Sequence, residues 1–370
     1  MRRRPLSLAL AAALSLGSLG LAGAPAAAAP GPVAPAALAA PTSIKFTSFD
    51  RVQPAADPVP LTSAPRDLNV TYTHDGRTRT LEDYLSRAAQ GLVVLDGDKI
   101  VKEWYAAGFS KDTRFQSWSM AKSFTSAAIG IALEEGKIHS LDDTVATYVP
   151  RLASSAFGDV SIRDLLRMSS GIAWNEPIND IPLHTQSILG VPTPVMAARQ
   201  VRAWEPGSQF NYTSMNTVVL ALVLAGATGV PYHEYVGEKL WRPAGMADTV
   251  DVANDRNGNS LGYCCYYATD RDYARFGKLM LDEGRSRGRQ VVPAAWVASS
   301  LSPSGVSPRY GLHWWLDGAD GFYASGAFGQ IIYVSLKHDV VIVKSTFVSL
   351  AESETLPVMR AIAAEVARTR

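Results

Sequence analysis

A chain of 370 residues with 47% hydrophobic and 19% charged side chains can bury a large core and has the composition of an ordinary globular protein. The formal net charge is +1, and no block of Lys and Arg follows the first four positions, which argues against nucleic acid as a partner. The two cysteines, Cys264 and Cys265, are neighbours, so no disulfide framework is implied; they read as free, buried thiols, with a vicinal disulfide as the alternative.

Arg2, Arg3 and Arg4 precede an apolar run from about Pro5 to Ala24 and the small residues Ala26 to Ala29. This is the pattern of an export signal (residues 1–29), cleaved near Ala29 to give a secreted or periplasmic product. The run is rich in Ala, Gly and Ser and weakly hydrophobic, which favours cleavage over a retained anchor; membrane contact is expected only through this signal. Without it the chain is close to neutral, at about −2. The Ala- and Pro-rich stretch 30–66 predicts an extended, disordered linker, leaving one domain over 67–370 with regular structure from near Leu81.

Within that domain RTLEDYLSRAAQ predicts a short helix, and LVVLDGDKIVKEWY two strands around a turn at Asp96, Gly97 and Asp98. Met120, Phe124, Ala127, Ala128 and Ile131 recur at helical spacing, with Gly136 past the end. From about 141 to 300 the pattern is mainly helical: SIRDLLRMSSG with Ser161 as its cap, NTVVLALVLAGATG, and RDYARFGKLMLDEG stopping at Gly284. YGLHWWLDG, GQIIYVSLK and HDVVIVKSTF then read as strands, and LPVMRAIAAEVART as a closing helix. The fold class expected is α/β of the α+β type: one antiparallel sheet built from both chain ends, flanked by helices, with a mainly helical subdomain inserted.

In SWSMAKSFTS, Ser119 and Lys122 stand three apart at a helix start and so share a face. A serine there points its oxygen toward unpaired amides at the positive end of the helix. Met, Phe and Ala around Lys122 would desolvate its ammonium and make it a base toward the serine. A bare S-x-x-K also fits a helix cap beside an exposed lysine, so further blocks must decide.

Those blocks are present. SWSMAKSFTSAAIGIALEEGKIHSLDDTVATYVP, VSIRDLLRMSSGIAWNE, EPGSQFNYTSMNTVVLALVLAGATG, LWRPAGM, TDRDYARFGKLMLDEG and ASGAFGQIIYV resemble, in this order, the serine β-lactamase and penicillin-binding-protein-like hydrolases. The likeness is greatest to the 6-aminohexanoate-dimer hydrolase and esterase branch. It implies the β-lactamase fold and a Ser119 acyl-enzyme. The family's Y-x-N or Y-x-S element falls on Tyr212, Thr213 and Ser214, which implies Tyr212 as proton carrier, held near its working range by Lys122, and Ser214 as a polar contact to substrate or lysine.

The family's K-T-G or H-T-G strand falls on Ala324, Ser325 and Gly326, and the amide of Ala327 would pair with that of Ser119 as the oxyanion hole. Ala324 stands where β-lactamases and peptidases place a cation or imidazole, which favours the ester or amide branch. The dimer hydrolases also carry a tyrosine that closes over the amide; between Gly171 and Phe210 this chain has only Trp174 and Trp204 as aromatics. Trp174 is a candidate substrate contact; Glu176 and His184 are weaker candidates for the cleft lining. No H-E-x-x-H or paired histidine indicates a metal, and no cofactor is implied. The expected partner is a small-molecule ester or amide, with no signal for an oligomeric state. The alternatives are a D-amino-acid peptidase or weak β-lactamase and, in another class, a catalytically silent ligand-binding or sensor module.

Overall fold

The central sheet brings the two ends of the chain together. In the computed structural model, which describes residues 46–347 and 351–370, it holds strands Thr62–Ser63 (β1), Gly91–Asp96 (β2), Lys99–Tyr105 (β3), Trp315–Leu316 (β4), Gly321–Gly326 (β5), Gln330–Ser335 (β6) and Val340–Ser345 (β7). Their order is β4-β5-β6-β7-β2-β3-β1. Late β7 pairs with early β2 antiparallel, from Val340 opposite Asp96 to Ser345 opposite Gly91. Alternate residues of β2 serve two cores. Val93 and Leu95 meet the helices Ala121–Glu134 (α2) and Asp270–Leu281 (α5); Leu92 and Val94 meet Leu81–Ala88 (α1) and Thr355–Arg368 (α6). Both faces are covered, which is why these strands read as continuous apolar runs.

Local signals behave as their chemistry requires. The Thr80 hydroxyl accepts from Asp83 N at the start of α1, and Ser161 caps its own short helix by accepting from Asp164 N at 3.0 Å. Gly97 turns β2 into β3 at φ +61°, a conformation that costs any residue with a Cβ.

Three features differ from the sequence expectation. The edge strand β1 runs parallel to β3, Thr62 opposite Lys99, so the sheet is mixed rather than purely antiparallel. Residues 46–66 do not behave as a free tether: Phe46 and Val52 are buried, and Phe49–Val52 pairs with Val250–Ala253. The export signal and the first part of the linker, residues 1–45, lie outside the described residues. Finally, the middle of the chain contributes strands of its own. A second sheet orders Phe49–Val52, Val250–Ala253, Tyr266–Thr269 and Arg114–Gln116, all antiparallel. Strands this short leave little periodicity to read, and pairing partners distant in sequence stabilise them. This small sheet positions the site. Among the described residues no single helix is long and apolar enough to cross a membrane.

Candidate active site

Arg114–Gln116 delivers the chain to the edge of the second sheet, and Ser117 continues the pairing, its N–H donating to Tyr266 O at 2.8 Å and its hydroxyl to Cys264 O at 2.7 Å. Trp118 then adopts φ +46°, a left-handed conformation that costs a bulky side chain free energy and recurs at functional turns. Ser119 sits half-buried in the single 3₁₀ turn Trp118–Met120 that leads into α2. Residues 121–132 of α2 are all buried, so Lys122, one turn inside, has no route to solvent and is 1% exposed.

The Lys122 ammonium nitrogen has three neighbours: Ser119 Oγ at 2.8 Å, Ser214 Oγ at 2.9 Å and the carbonyl oxygen of Tyr263 at 3.1 Å. Desolvation lowers its proton affinity below that of an ordinary lysine, with Glu176 and Asp180 opposing the shift. The nitrogen also lies 5.2 Å from the Tyr212 ring centroid and 5.6 Å from that of Tyr263.

Tyr212 and Ser214 straddle the start of the buried helix Ser214–Thr228 (α4). The Tyr212 ring stacks on Trp315 at 5.5 Å and meets Tyr310 edge-on at 6.0 Å. Desolvation, and then the nearby Glu176 carboxylate, hold its phenol well above the usual range, while a hydrogen bond with Ser119 offsets part of the shift. The expectation that Lys122 would draw this tyrosine down is not met: surrounded by protein and two acids, Tyr212 stays a neutral phenol at neutral pH.

Glu176 opens the helix Glu176–Ile188 (α3). Its carboxylate accepts from Trp174 Nε1, from Ser214 N at 2.9 Å and from the Ser214 hydroxyl. Trp174 is thus 7% exposed with its one polar atom spent on Glu176, which makes it a wall of the site rather than a lid. One turn along, burial raises the Asp180 carboxyl above its usual range. His184 is buried, its Nδ1 2.7 Å from Asp180 O and its ring between Trp118 and Tyr263. A second buried histidine, His313, is pushed down to about 3 by burial and then by Lys122. Its Nδ1–H donates to Leu166 O, so Nε2 accepts from Thr217, and the ring is a neutral tie between helices.

The opposite wall is the end of β5. Gly326 lies so close to the nucleophile turn that a Cβ would stand 2.5 Å from Ser117 O and 2.9 Å from Trp118 Cβ. Ser325 is half-buried, Ala327 is exposed one residue beyond the contact, and Ala324 is 1% exposed within the core shared with α2. Phe328, at φ +63°, packs edge-on against Trp118 at 5.3 Å.

Cys264 and Cys265 are joined as a vicinal disulfide, which corrects the expectation of free thiols. Both are buried, in the turn that leads into the strand Tyr266–Thr269. A ring nitrogen of His184 and the two sulfurs lie within 4.8 Å of one another, but sulfurs joined to each other are not thiolate ligands. Sequence reasoning passed over Tyr263, which acts through its backbone, and underrated Glu176, an isolated acid with no motif to mark it.

The profile of the Beta-lactamase family matches residues 77–347. The 6-aminohexanoate-dimer hydrolase of Paenarthrobacter ureafaciens is 30% identical over 281 residues, 68% of this chain and 71% of that protein. Among solved structures, one assigned as a 6-aminohexanoate-dimer hydrolase of Bacillus anthracis superposes with a TM-score of 0.78 at 24% identity, over 88% of this chain and 91% of that one. EstCE1, a hydrolase with promiscuous acyltransferase activity, gives 0.58 at 15% identity, over 77% and 95%.

Proposed function

The chain belongs to the beta-lactamase family, as a serine hydrolase, and from that premise we propose that it cleaves a small ester or amide through an acyl-enzyme on Ser119. The observation that carries this is Lys122 Nζ, 2.8 Å from Ser119 Oγ in a place where the lysine is 1% exposed. A desolvated amine at that distance takes the Ser119 proton as its oxygen attacks the acyl carbon. The amides of Ser119 and Ala327 receive the oxyanion, a role supported by the tight approach of Gly326 to the nucleophile turn. Tyr212, a neutral phenol, hands its proton to the leaving alcohol or amine and is reprotonated by Lys122, which holds the proton taken from Ser119 in the attack. Water then attacks the acyl carbon, Lys122 taking its proton and returning it to Ser119 Oγ as the C–O bond breaks and the acid leaves.

Ala324, small and buried, supplies no positive charge to a substrate carboxylate, which favours uncharged acyl donors over penicillins or D-amino-acid peptides. The aromatic surfaces of Trp118, Phe328 and Tyr212 suit an apolar acyl chain. Export belongs to the same reading. It is supported by the three arginines and apolar run at the start of the sequence and by a disulfide that an oxidising compartment preserves.

The test sets a short-chain p-nitrophenyl ester, the linear 6-aminohexanoate dimer and a chromogenic cephalosporin side by side, each with a Ser119→Ala control. Ester or dimer turnover that vanishes in the control is expected. Turnover of the cephalosporin alone would favour the peptidase reading, and activity surviving in the control would remove Ser119 as nucleophile.

A further inference from the structure

We infer that Glu176 is a positioning residue that fixes the direction of every hydrogen bond behind Ser119, so that the lone pair of a neutral Lys122 faces the nucleophile. The inference rests on the assignment of Lys122 as base. It follows from counting donors and acceptors.

Three donors converge on Glu176: Trp174 Nε1–H and Ser214 N–H on Oε2, and the Ser214 hydroxyl on Oε1. An ionised carboxylate accepts all three and donates none. The Ser214 hydrogen is therefore committed to Glu176, and Ser214 Oγ meets Lys122, 2.9 Å away, only as an acceptor. Tyr263 O, at 3.1 Å, is a carbonyl and accepts as well. A neutral amine has two N–H bonds and one lone pair. Both N–H bonds are claimed, by Ser214 and Tyr263, and the remaining tetrahedral position faces Ser119 Oγ at 2.8 Å. The serine proton thus has one place to go. Asp180 also hydrogen-bonds Ser214 and faces His184, with 3.4 Å between its Oδ1 and His184 Nδ1, so with either acid accepting the Ser214 hydrogen, Ser214 Oγ meets Lys122 as an acceptor.

The isosteric change Glu176→Gln inverts this chain. To keep Trp174 Nε1–H and Ser214 N–H on a carbonyl oxygen, the amide must turn its NH₂ toward Ser214 Oγ. The Ser214 hydrogen then swings to Lys122 and occupies the lone pair meant for Ser119. Removing the hydroxyl relieves that block.

The experiment measures kcat and KM for p-nitrophenyl butyrate from pH 5 to 10, with thermal midpoints, in Glu176→Gln, Ser214→Ala, the double variant, and Ser119→Ala and Lys122→Ala as controls. Expected is a fall in kcat of about 10²-fold for Glu176→Gln, the scale of misplacing a general base, with KM within a few-fold of its starting value. The acidic limb should move to lower pH, because Glu176 raises the proton affinity of Lys122. The double variant should match Ser214→Ala and exceed Glu176→Gln. Independent, multiplying effects, or a Glu176→Gln enzyme within two-fold of wild type while both controls are inactive, would overturn the inference and leave the nucleophile and base standing. Activity in the Ser119→Ala or Lys122→Ala control would instead overturn the assignment beneath it. If Glu176→Gln does not fold, Glu176→Asp tests the same point: it keeps the charge and the acceptor-only chemistry, and should hold its pH limb in place while kcat falls.

Discussion

Lys122 and Tyr263 meet through a side chain and a backbone: the buried ammonium nitrogen lies 3.1 Å from the Tyr263 carbonyl oxygen, which is held in place by the sheet strand that begins three residues later. The contact ties the lysine to the backbone that leads into the second sheet and leaves it little freedom to turn away from Ser119.

The pH profile follows from that enclosure. Desolvation lowers the proton affinity of Lys122, and the groups around it are Glu176, Asp180, Tyr212, Tyr263 and His313. In the proposed mechanism the amine works when neutral, so kcat/KM for an activated ester should rise with pH and level off below 10.5, the ordinary value for a lysine. Lys122→Arg, charged at every accessible pH, should lose at least about 10²-fold and show no such limb. A limb at the ordinary lysine value would mean that the amine is not desolvated in solution.

Tyr212→Phe separates leaving groups. A p-nitrophenolate departs without help, whereas an alkoxide or amine must be protonated. The variant should keep most of its p-nitrophenyl ester turnover and lose about 10² to 10⁴-fold on an alkyl ester or the 6-aminohexanoate dimer. Equal losses on all substrates would place Tyr212 in the attack step instead.

Gly326→Val tests the approach of β5 to the nucleophile. A Cβ there meets Ser117 O at 2.5 Å, and backbone cannot yield as a flexible side chain can. Forcing the strand away should cost about 1 to 3 kcal/mol of stability and lower kcat for every substrate, because the amides of Ser119 and Ala327, proposed to hold the oxyanion, shift with it. Unchanged kinetics in a folded variant would place the oxyanion hole elsewhere.

Asp270 offers a stability prediction outside the site. It begins α5 fully buried, with Ser345 donating to Oδ1 and, among the described residues, no partner for Oδ2. Burial raises its carboxyl to about 7 from 3.8. The folded form thus keeps a proton that the unfolded chain releases. Stability should fall as pH rises from about 4 to about 7, with the loss complete above that. Asp270→Asn, which mimics the neutral acid, should gain about 1 to 4 kcal/mol relative to wild type at pH 8 and almost nothing at pH 4. Thermal midpoints at the two pH values decide it.

The legible and illegible parts of the chain divide by sequence distance. Leu92 to Leu95 and Val340 to Val343 read as strands because both faces are buried, and α2 reads as a helix because its apolar residues recur at helical spacing. Val250–Ala253 and Tyr266–Thr269 were lost in the helical middle, because four-residue strands carry too little pattern and depend on partners far along the chain. In the sequence Trp174 reads as an aromatic beside a cleft, and in the structure its Nε1 donates to Glu176.

The spacing in the chain places Ser119 and Lys122 on one helical face, the apolar runs place the strands of both ends in one sheet, and the ordered blocks are those of the family. Only the tertiary structure decided which atoms surround the lysine. Ser214 and Tyr263 reach Lys122, and Glu176 reaches Ser214, across long stretches of chain, and Cys264 and Cys265 are joined to each other. The physical reason is that periodicity reports which face of an element is buried, whereas the direction of a hydrogen bond depends on the acceptors and donors that packing sets beside it.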